Sequence, residues 1–299
     1  MSAVRTRVLY VTDLAYQARG RSYCDEDIYL TSRLRERFDL ALCHPADAVS
    51  FLEHADVVVV RNSGPVIHYA EAYAEFCQRA RETGVKVFTE LTGRGDQAGK
   101  GYLLELFERG YPVIPTIDRA ADFGRLPVVD EYVAKPKLGA DSLGMRFVSR
   151  AEVATLPWRD QLVQPRIDFA YEVSFVFVDR DFCYAAYAPD PGRRWELQPY
   201  EASPDDLAFA RRFIEWNSID HGIQRVDACR TAAGELLLVE LEDLNPFLSL
   251  DRVDPAVREA FVERMADAVQ RLVGQDWRTS GWRARPCKVG DRQGSARGR

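Results

Sequence analysis

The chain has 299 residues, 46% hydrophobic and 29% charged, with a formal charge of −6 at pH 7 and a pI near 5.4. That balance suits a soluble globular protein of one large domain or two to three smaller ones, and it excludes a general electrostatic pull toward nucleic acid or an anionic membrane. The longest apolar runs, such as Val57-Val58-Val59-Val60, are strand-length and too short to span a bilayer, and residues 1–7 lead into a strand pattern without a signal peptide.

From the N-terminus, strand and helix patterns alternate. Arg7 to Thr12 is a short apolar run ending at Asp13, and Asp25 can cap a helix with Leu30, Leu34 and Phe38 on one face. Val57 to Val60 is apolar on both faces, as a central parallel strand is. Val66 to Thr83 reads as a helix stopped by Gly84, and Val85 to Thr89 as the next strand. This βαβαβ order predicts a small doubly wound α/β domain over residues 1–92.

A different texture begins at residue 93. Gly93 to Gly99 is a loop, and Lys100 to Arg109 reads as a helix closed by Gly110. Short strands follow at Pro112–Thr116, Val128–Pro136 and Met145–Val148, giving a central unit over residues 93–160. Gln161 to Tyr187 predicts three strands in a meander, with turns at Asp168-Phe169-Ala170 and Asp179-Arg180-Asp181. Ser203 caps a helix with Pro204 in its first turn and Asp206 completing a capping box. Arg225–Arg230 and Leu236–Glu242 are strands joined by a turn at Thr231 to Gly234. Asp254-Pro255 opens a last helix, with Val257, Phe261, Met265, Val269 and Leu272 on one stripe and Gly274 at its end. These elements predict an α+β C-terminal unit over residues 161–278, and the polar, Arg- and Gly-rich 279–299 is expected to be disordered.

The six cysteines include no CxxC pair and there are only four histidines, which argues against a Cys/His zinc site. Cys43, Cys77 and Cys183 sit in apolar context, where buried reduced thiols and a reducing cytoplasm are the natural reading.

The chemistry concentrates in two places. Glu240 and Glu242, two apart on a strand, point to one face, and the turn at Thr231 to Gly234 brings Asp227 roughly opposite them. Three carboxylates on one face of an apolar hairpin repel one another unless a cation lies between them, and Mg²⁺ takes such hard oxygens and completes its shell with phosphate and water. The bland alternative is a solvated acidic sheet edge. In the second place, Lys135 ends a strand and is followed by Pro136, Lys137 and the loop Leu138 to Gly144, which contains Gly139 and Ser142. A lysine at a strand mouth before a Gly/Ser loop suits a polyphosphate, whereas the plain alternative is a surface lysine beside an ordinary turn.

Two local motifs weigh less. A P-loop around Lys100 fails because Arg94 and Gly101 stand where Gly and Ser or Thr are needed. Gly93-x-Gly95-x-x-Ala98 satisfies a dinucleotide fingerprint on paper, but it follows a late strand and gives the carboxylate hairpin no purpose.

In order, these pieces resemble the ATP-grasp superfamily over roughly residues 85–250. Lys100 opens a helix leading to Ile114-Pro115-Thr116, and Lys135 stands in Val133-Ala134-Lys135-Pro136. The loop Gly139 to Gly144 matches the phosphate-covering lid, and Gln164-Pro165-Arg166-Ile167 the adenine hinge strand. Glu172 follows, and the series closes with Arg225-Val226-Asp227 and Glu240-Leu241-Glu242. The resemblance implies an ATP-grasp fold behind an N-terminal doubly wound domain, with ATP and Mg²⁺, or Mn²⁺, as cofactors. It implies that Lys100 and Lys135 hold the α- and β-phosphates, with Lys137, Gly139, Ser142 and Gly144 near them. The amides of Gln164, Pro165, Arg166 and Ile167 would line adenine, and Glu172 would bind ribose. Asp227, Glu240 and Glu242 would hold metal, with Asn245 the nearest asparagine where many members ligate through one. Arg225, Arg193 and Arg194 could neutralise charge developing at the γ-phosphate and acyl phosphate.

Within the superfamily the chain looks like the O-ureido-D-serine cyclo-ligases of D-cycloserine biosynthesis. That likeness implies an ATP-dependent carbon–nitrogen ligase that activates the carboxylate of a small amino-acid-like substrate and closes a ring. Asp13 and Arg61-Asn62-Ser63 lie at strand ends, where open parallel sheets place ligands, and are candidate substrate contacts. Ligation of two separate substrates, a nicotinamide enzyme using the Gly93 loop, and a non-catalytic nucleotide-binding protein are the alternatives. The expected setting is cytoplasmic, without nucleic acid or membrane partners, and a homo-oligomer is an expectation from the family.

Overall fold

The computed structural model describes residues 5–18, 21–22, 24–61, 68–139, 144–193 and 196–275. Most of the expected lid, and the expected disordered tail, lie outside them. The first unit runs β1 (Arg7–Val11), a two-residue hairpin of β2 (Gln17–Ala18) and β3 (Arg21–Ser22), α1 (Cys24–Leu34), β4 (Asp39–Cys43), β5 (Val57–Val60), α2 (Ala70–Thr83) and β6 (Lys86–Phe88). All four valines of β5 are buried, because this strand pairs on both sides in a parallel sheet of order β4-β1-β5-β6. Gly84 ends α2 at a φ of 69°, a left-handed position that favours glycine. The periodicity missed a 3₁₀ segment, Pro45–His54, that lays Ala48 and Leu52 on the sheet.

After α3 (Tyr102–Glu108) comes a small antiparallel sheet of order β8-β7-β9, made of β7 (Glu131–Pro136), β8 (Arg146–Ser149) and β9 (Gln161–Pro165). A one-turn helix, α4 (Arg150–Val153), follows β8 behind a Ser149–Glu152 capping box. The third sheet is antiparallel, of order β12-β11-β10-β13-β14. Its strands are β10 (Phe169–Val178), β11 (Asp181–Ala188), β12 (Gln198–Tyr200), β13 (Ile223–Thr231) and β14 (Leu236–Glu242). Between β12 and β13 lies α5 (Pro204–Asn217), with the expected Ser203–Asp206 capping box, and α6 (Pro255–Gly274) ends the described chain.

The expected strand Pro112–Thr116 is reduced to single bridges, Val113 to Leu238 and Ile117 to Val163. Pro112 and Pro115 carry no N–H, so no continuous ladder can run through them. The short β12 was not anticipated, since Pro199 lies at its centre, as only an edge strand tolerates.

Core packing divides unevenly. One cluster joins Val8, Tyr10, Leu34 and Phe88 of the first unit to Val176, Val178, Ile223 and the Phe261–Met265–Val269 stripe of α6. The small sheet rests mostly on a cluster of Ile117, Tyr132, Ala134, Val148 and Val163, while Leu162 of β9 packs in the core of the large sheet. Among the described residues no helix is long and apolar enough to cross a membrane.

Candidate nucleotide and metal site

The register of β13 and β14 pairs Asp227 with Glu240 and Arg225 with Glu242, which places all four side chains on one face. A bulge lies just beyond, between Asp227 and Ala228. On the neighbouring β10, Ser174 pairs with Asp227, so Glu172 shares that face two positions along. Arg225 donates from Nε to Asp227 Oδ1 at 2.9 Å, and from Nη2 to Asp227 Oδ2 and Glu242 Oε1 at 2.8 Å each. Its Nη1 donates to the Phe247 carbonyl. The ammonium of Lys100 pairs with Glu240. The Lys100 N–H also donates to the Lys137 carbonyl at 2.8 Å, fastening the start of α3 to the end of β7, which carries Lys135. Side chains of Lys100, Glu240, Arg225, Asp227 and Glu242 are 11 to 24% exposed, which makes them a largely covered face and not a solvated edge.

Charge pairing sets the ionisation of this face. Burial opposes the charge on Lys100, but Glu240 outweighs it and holds the ammonium above its ordinary pKa. Burial likewise opposes ionisation of Glu240, yet Lys100 and Lys135 together keep its carboxyl below the usual range. Lys135 is pushed down to about 8, chiefly by burial and further by the like charge of Lys100. Glu242 is pushed up to about 8 by burial, against Arg225 and reinforced by Asp227 and Glu240. Asp227, Glu240 and Glu242 are thus set against Lys100, Lys135 and Arg225, each side adjusted by the other.

The residues fit magnesium of a particular kind. Every available donor is a hard carboxylate oxygen, suited to Mg²⁺ or Mn²⁺. Among the described residues no group of three or more His, Cys, Asp or Glu is gathered closely enough to hold an ion by itself. One or two carboxylates completed by phosphate oxygens is the usual magnesium site, so this face suits an ion that arrives with a triphosphate.

Among solved structures, D-cycloserine synthetase DcsG matches with a TM-score of 0.68 at 22% identity, over 89% of this chain and 99% of that one. The fold is that of the ATP-grasp ligases. D-alanine–D-alanine ligase from Bacillus anthracis, complexed with ATP, matches at 0.61 and 12% identity over 90% and 97% of the two chains. The macrocyclase MdnC from Microcystis aeruginosa, bound with its precursor peptide MdnA, matches at 0.60 and 13% over 87% and 98%. No protein-family model matches the sequence, and no curated protein matches it.

Around this face the other expected residues divide. Gln164 is buried, with Nε2 donating to Thr116 Oγ1 at 2.7 Å, and Pro165 follows it at the end of β9. The Arg166 amide donates to the Glu131 carbonyl at 3.0 Å, so it closes the sheet and is not an open donor for adenine. Its guanidinium pairs outward with Glu131, and Ile167 is half-buried beside it. Lys137 is drawn to Asp118 at 2.8 Å and away from Glu240. Gly139 is half-buried, and Gly144 adopts a φ of 73° with Pro136 so close that a Cβ would lie 2.9 Å from its Cγ. Ser142 lies outside the described residues. Arg193 is 64% exposed and bonded to Asp190 and Glu196, local carboxylates that hold it to its own loop. Arg194, Asn62 and Ser63 fall outside the described residues. Asp13 lies two residues past the end of β1, accepting the Ala15 N–H at 2.9 Å with His44 3.7 Å away. Arg61 is not on an open pocket wall: it is 4% exposed, and its partners are Asp27 and the Pro246 carbonyl. Asn245 lies beyond the end of β14, whereas Glu242 is on the face with Arg225.

The glycine loop has an internal explanation. Asp243, fully buried, accepts the Gly95 and Gln97 amides at 2.8 and 2.9 Å and the Asn217 side-chain amide at 3.0 Å. A Cβ on Gly93 would lie 2.3 Å from Asp243 Oδ2, and one on Gly95 2.9 Å. The dinucleotide fingerprint therefore cradles a carboxylate of this chain, which leaves no room for a pyrophosphate. Sequence reasoning missed Asp243, Asp96, Asn217 and Tyr102, whose hydroxyl accepts the Leu241 N–H at 2.7 Å. The only local sign was the pair of glycines themselves.

Proposed function

We propose that this protein is a Mg-ATP-dependent ligase that phosphorylates a small amino-acid carboxylate and then forms a carbon–nitrogen bond. The observation that carries this reading is the face on which Lys100, Lys135 and Arg225 interleave with Asp227, Glu240 and Glu242. A binding-only module has no need of so many opposed charges on one half-buried face. Lys100 and Lys135 are placed to meet phosphate oxygens as point charges, and Arg225 to meet the oxygen of the activated carboxyl with its planar fork. As Lys100 turns to phosphate and Arg225 to the activated carboxyl, Glu240 and Glu242 gain free oxygens. Bound magnesium supplies Lewis-acid screening between the triphosphate and the incoming carboxylate. In a cleft closed from water, the acyl phosphate survives until the nucleophile attacks.

For the substrate we infer O-ureido-D-serine, cyclised to D-cycloserine with loss of CO₂ and ammonia, because the fold of D-cycloserine synthetase spans nearly the whole of both chains. An intramolecular nucleophile gains from proximity and needs no second amine site. The free cysteines, Cys24, Cys43, Cys77, Cys183 and Cys229 among the described residues, suit a reducing cytoplasm. The test is ADP release with Mg-ATP across a panel of small amino acids that includes O-ureido-D-serine, beside a Glu240→Ala control. Turnover on that substrate, lost in the control, supports the full reading. Turnover on another acid alone leaves the ligase and removes the cyclisation. No turnover on any of them overturns both.

A further inference from the structure

Arg61 stands just past the C-terminal end of β5, in the interior. Its Nε donates to Asp27 Oδ1 at 3.1 Å, its Nη1 donates to the Pro246 carbonyl at 2.9 Å, and its Nη2 lies 3.6 Å from Glu26 Oε2. Both carboxylates are held in turn. The hydroxyls of Tyr10 and Thr12 donate to Asp27 at 2.6 and 2.5 Å. Glu26 accepts the N–H groups of Leu248 and Leu250, each at 2.9 Å. From the far side, Arg225 donates to the Phe247 carbonyl and the Tyr184 hydroxyl to the Leu248 carbonyl at 2.6 Å.

Successive carbonyls of one segment, at 246, 247 and 248, are therefore gripped by Arg61, Arg225 and Tyr184 in turn. That segment is the continuation of β14, the strand that carries Glu240 and Glu242. Buried ion pairs give little stability beyond what apolar packing of equal volume would give, because desolvation cancels most of the attraction. Apolar packing, however, would not fix the segment along its own length, whereas a guanidinium bonded to one carbonyl does. A slip of one residue would take the Phe247 carbonyl from Arg225, which bridges Asp227 to Glu242.

We propose that Arg61 is a positioning residue for the magnesium–phosphate face: by holding the Pro246 carbonyl it sets the Phe247 carbonyl that orients Arg225 between Asp227 and Glu242. The proposal rests on the ligase reading. On this reading the first unit would take part in metal binding through the Pro246 carbonyl, although the carboxylates that would hold the ion belong to β13 and β14.

The experiment is a magnesium titration of ATP binding by calorimetry on the full chain, for wild type, Arg61→Lys and Tyr10→Phe, with a thermal unfolding curve for each. Tyr10→Phe loosens the same buried cluster through Asp27 but leaves Arg61 on Pro246, so it controls for stability. Arg61→Lys is expected to raise the magnesium midpoint about tenfold, as loss of an outer support to a metal site does, and Tyr10→Phe to leave it within about twofold. Should Arg61→Lys not fold, Tyr184→Phe, which releases the Leu248 carbonyl on the other side of Phe247, replaces it with the same expectation. A wild type that binds ATP with magnesium while the Arg61 variant keeps the wild-type midpoint, or while both variants shift alike, overturns the proposal alone. A wild type without magnesium-dependent ATP binding overturns the ligase reading and the proposal with it.

Discussion

Asp96 and Asp243 each accept two backbone N–H groups from the other's segment: Asp96 Oδ1 takes those of Asp243 and Leu244, and Asp243 takes those of Gly95 and Gln97. The exchange sews the loop before Lys100 to the end of the strand that carries Glu240. Burial, with Asp243 beside it, pushes the Asp96 carboxyl well above its ordinary range. The lock therefore works as a hydrogen-bonded unit, and the spacing of Lys100 from Glu240 depends on it.

Breaking the lock should cost stability. Asp243→Ala leaves the Gly95, Gln97 and Asn217 donors unpaired in the interior and is expected to destabilise by about 2–5 kcal/mol. Gly93→Ala, which drives a methyl into the same carboxylate, is expected to cost about 1–3 kcal/mol. Urea unfolding of both variants checks this; a Gly93→Ala midpoint equal to wild type would show that the loop gives way freely.

Glu240→Gln keeps the shape of the side chain and removes the charge that Lys100 pairs with. Substrate-dependent ADP release is expected to fall about 100-fold or more, with the fold retained by circular dichroism. Activity within a few-fold of wild type would remove Glu240 from the metal site.

On the proposed reading, Lys135 is expected to make nucleotide binding pH-dependent. Its free-protein pKa near 8 rises when a triphosphate binds, because the charged form is favoured beside phosphate. The ATP association constant should therefore fall by about tenfold per pH unit above pH 8, and Lys135→Arg should abolish that slope. Stability of the free protein moves the other way. Between about 8 and 10.5 the unfolded chain holds this proton more tightly, so the group adds stability as pH rises through that window. Calorimetric titrations at pH 7.5 to about 10 give the slope, and its absence would mean Lys135 does not meet phosphate.

Arg166→Ala should be silent. The exposed pair with Glu131 is worth about 0–1 kcal/mol, and the Arg166 amide that closes the sheet is kept. Unchanged ATP affinity and melting temperature are expected, and a tenfold loss of affinity would place the guanidinium on the nucleotide.

What could be read in the sequence follows from the range of each force. Val57 to Val60 and the stripe on α6 were legible because burial of whole faces leaves a period in the letters. Asp227 opposite Glu240 was legible because a four-residue turn leaves little choice of register. Asp243 and Arg61 were not, since their partners lie far along the chain: the Gly95 amide 148 positions away, the Pro246 carbonyl 185. Lys137 misled for a similar reason, its sequence neighbours giving no hint of Asp118, 19 residues back.

The mostly separate core under β7, β8 and β9 has a mechanical consequence. Only two short stretches carry the chain between that sheet and the large one: 114–116, between the bridge at Val113 and the bridge at Ile117, and 166–168, between β9 and β10. The Gln164–Thr116 bond latches the two together at 2.7 Å. Beside those connections, the bond from the Lys100 N–H to the Lys137 carbonyl and the packing of Leu162 of β9 in the core under the large sheet tie the small sheet down at further points. Lys135, two residues before that bond, is thereby held in register with Lys100, so the small sheet and the carboxylate face are coupled through one backbone hydrogen bond between their two lysine-bearing segments.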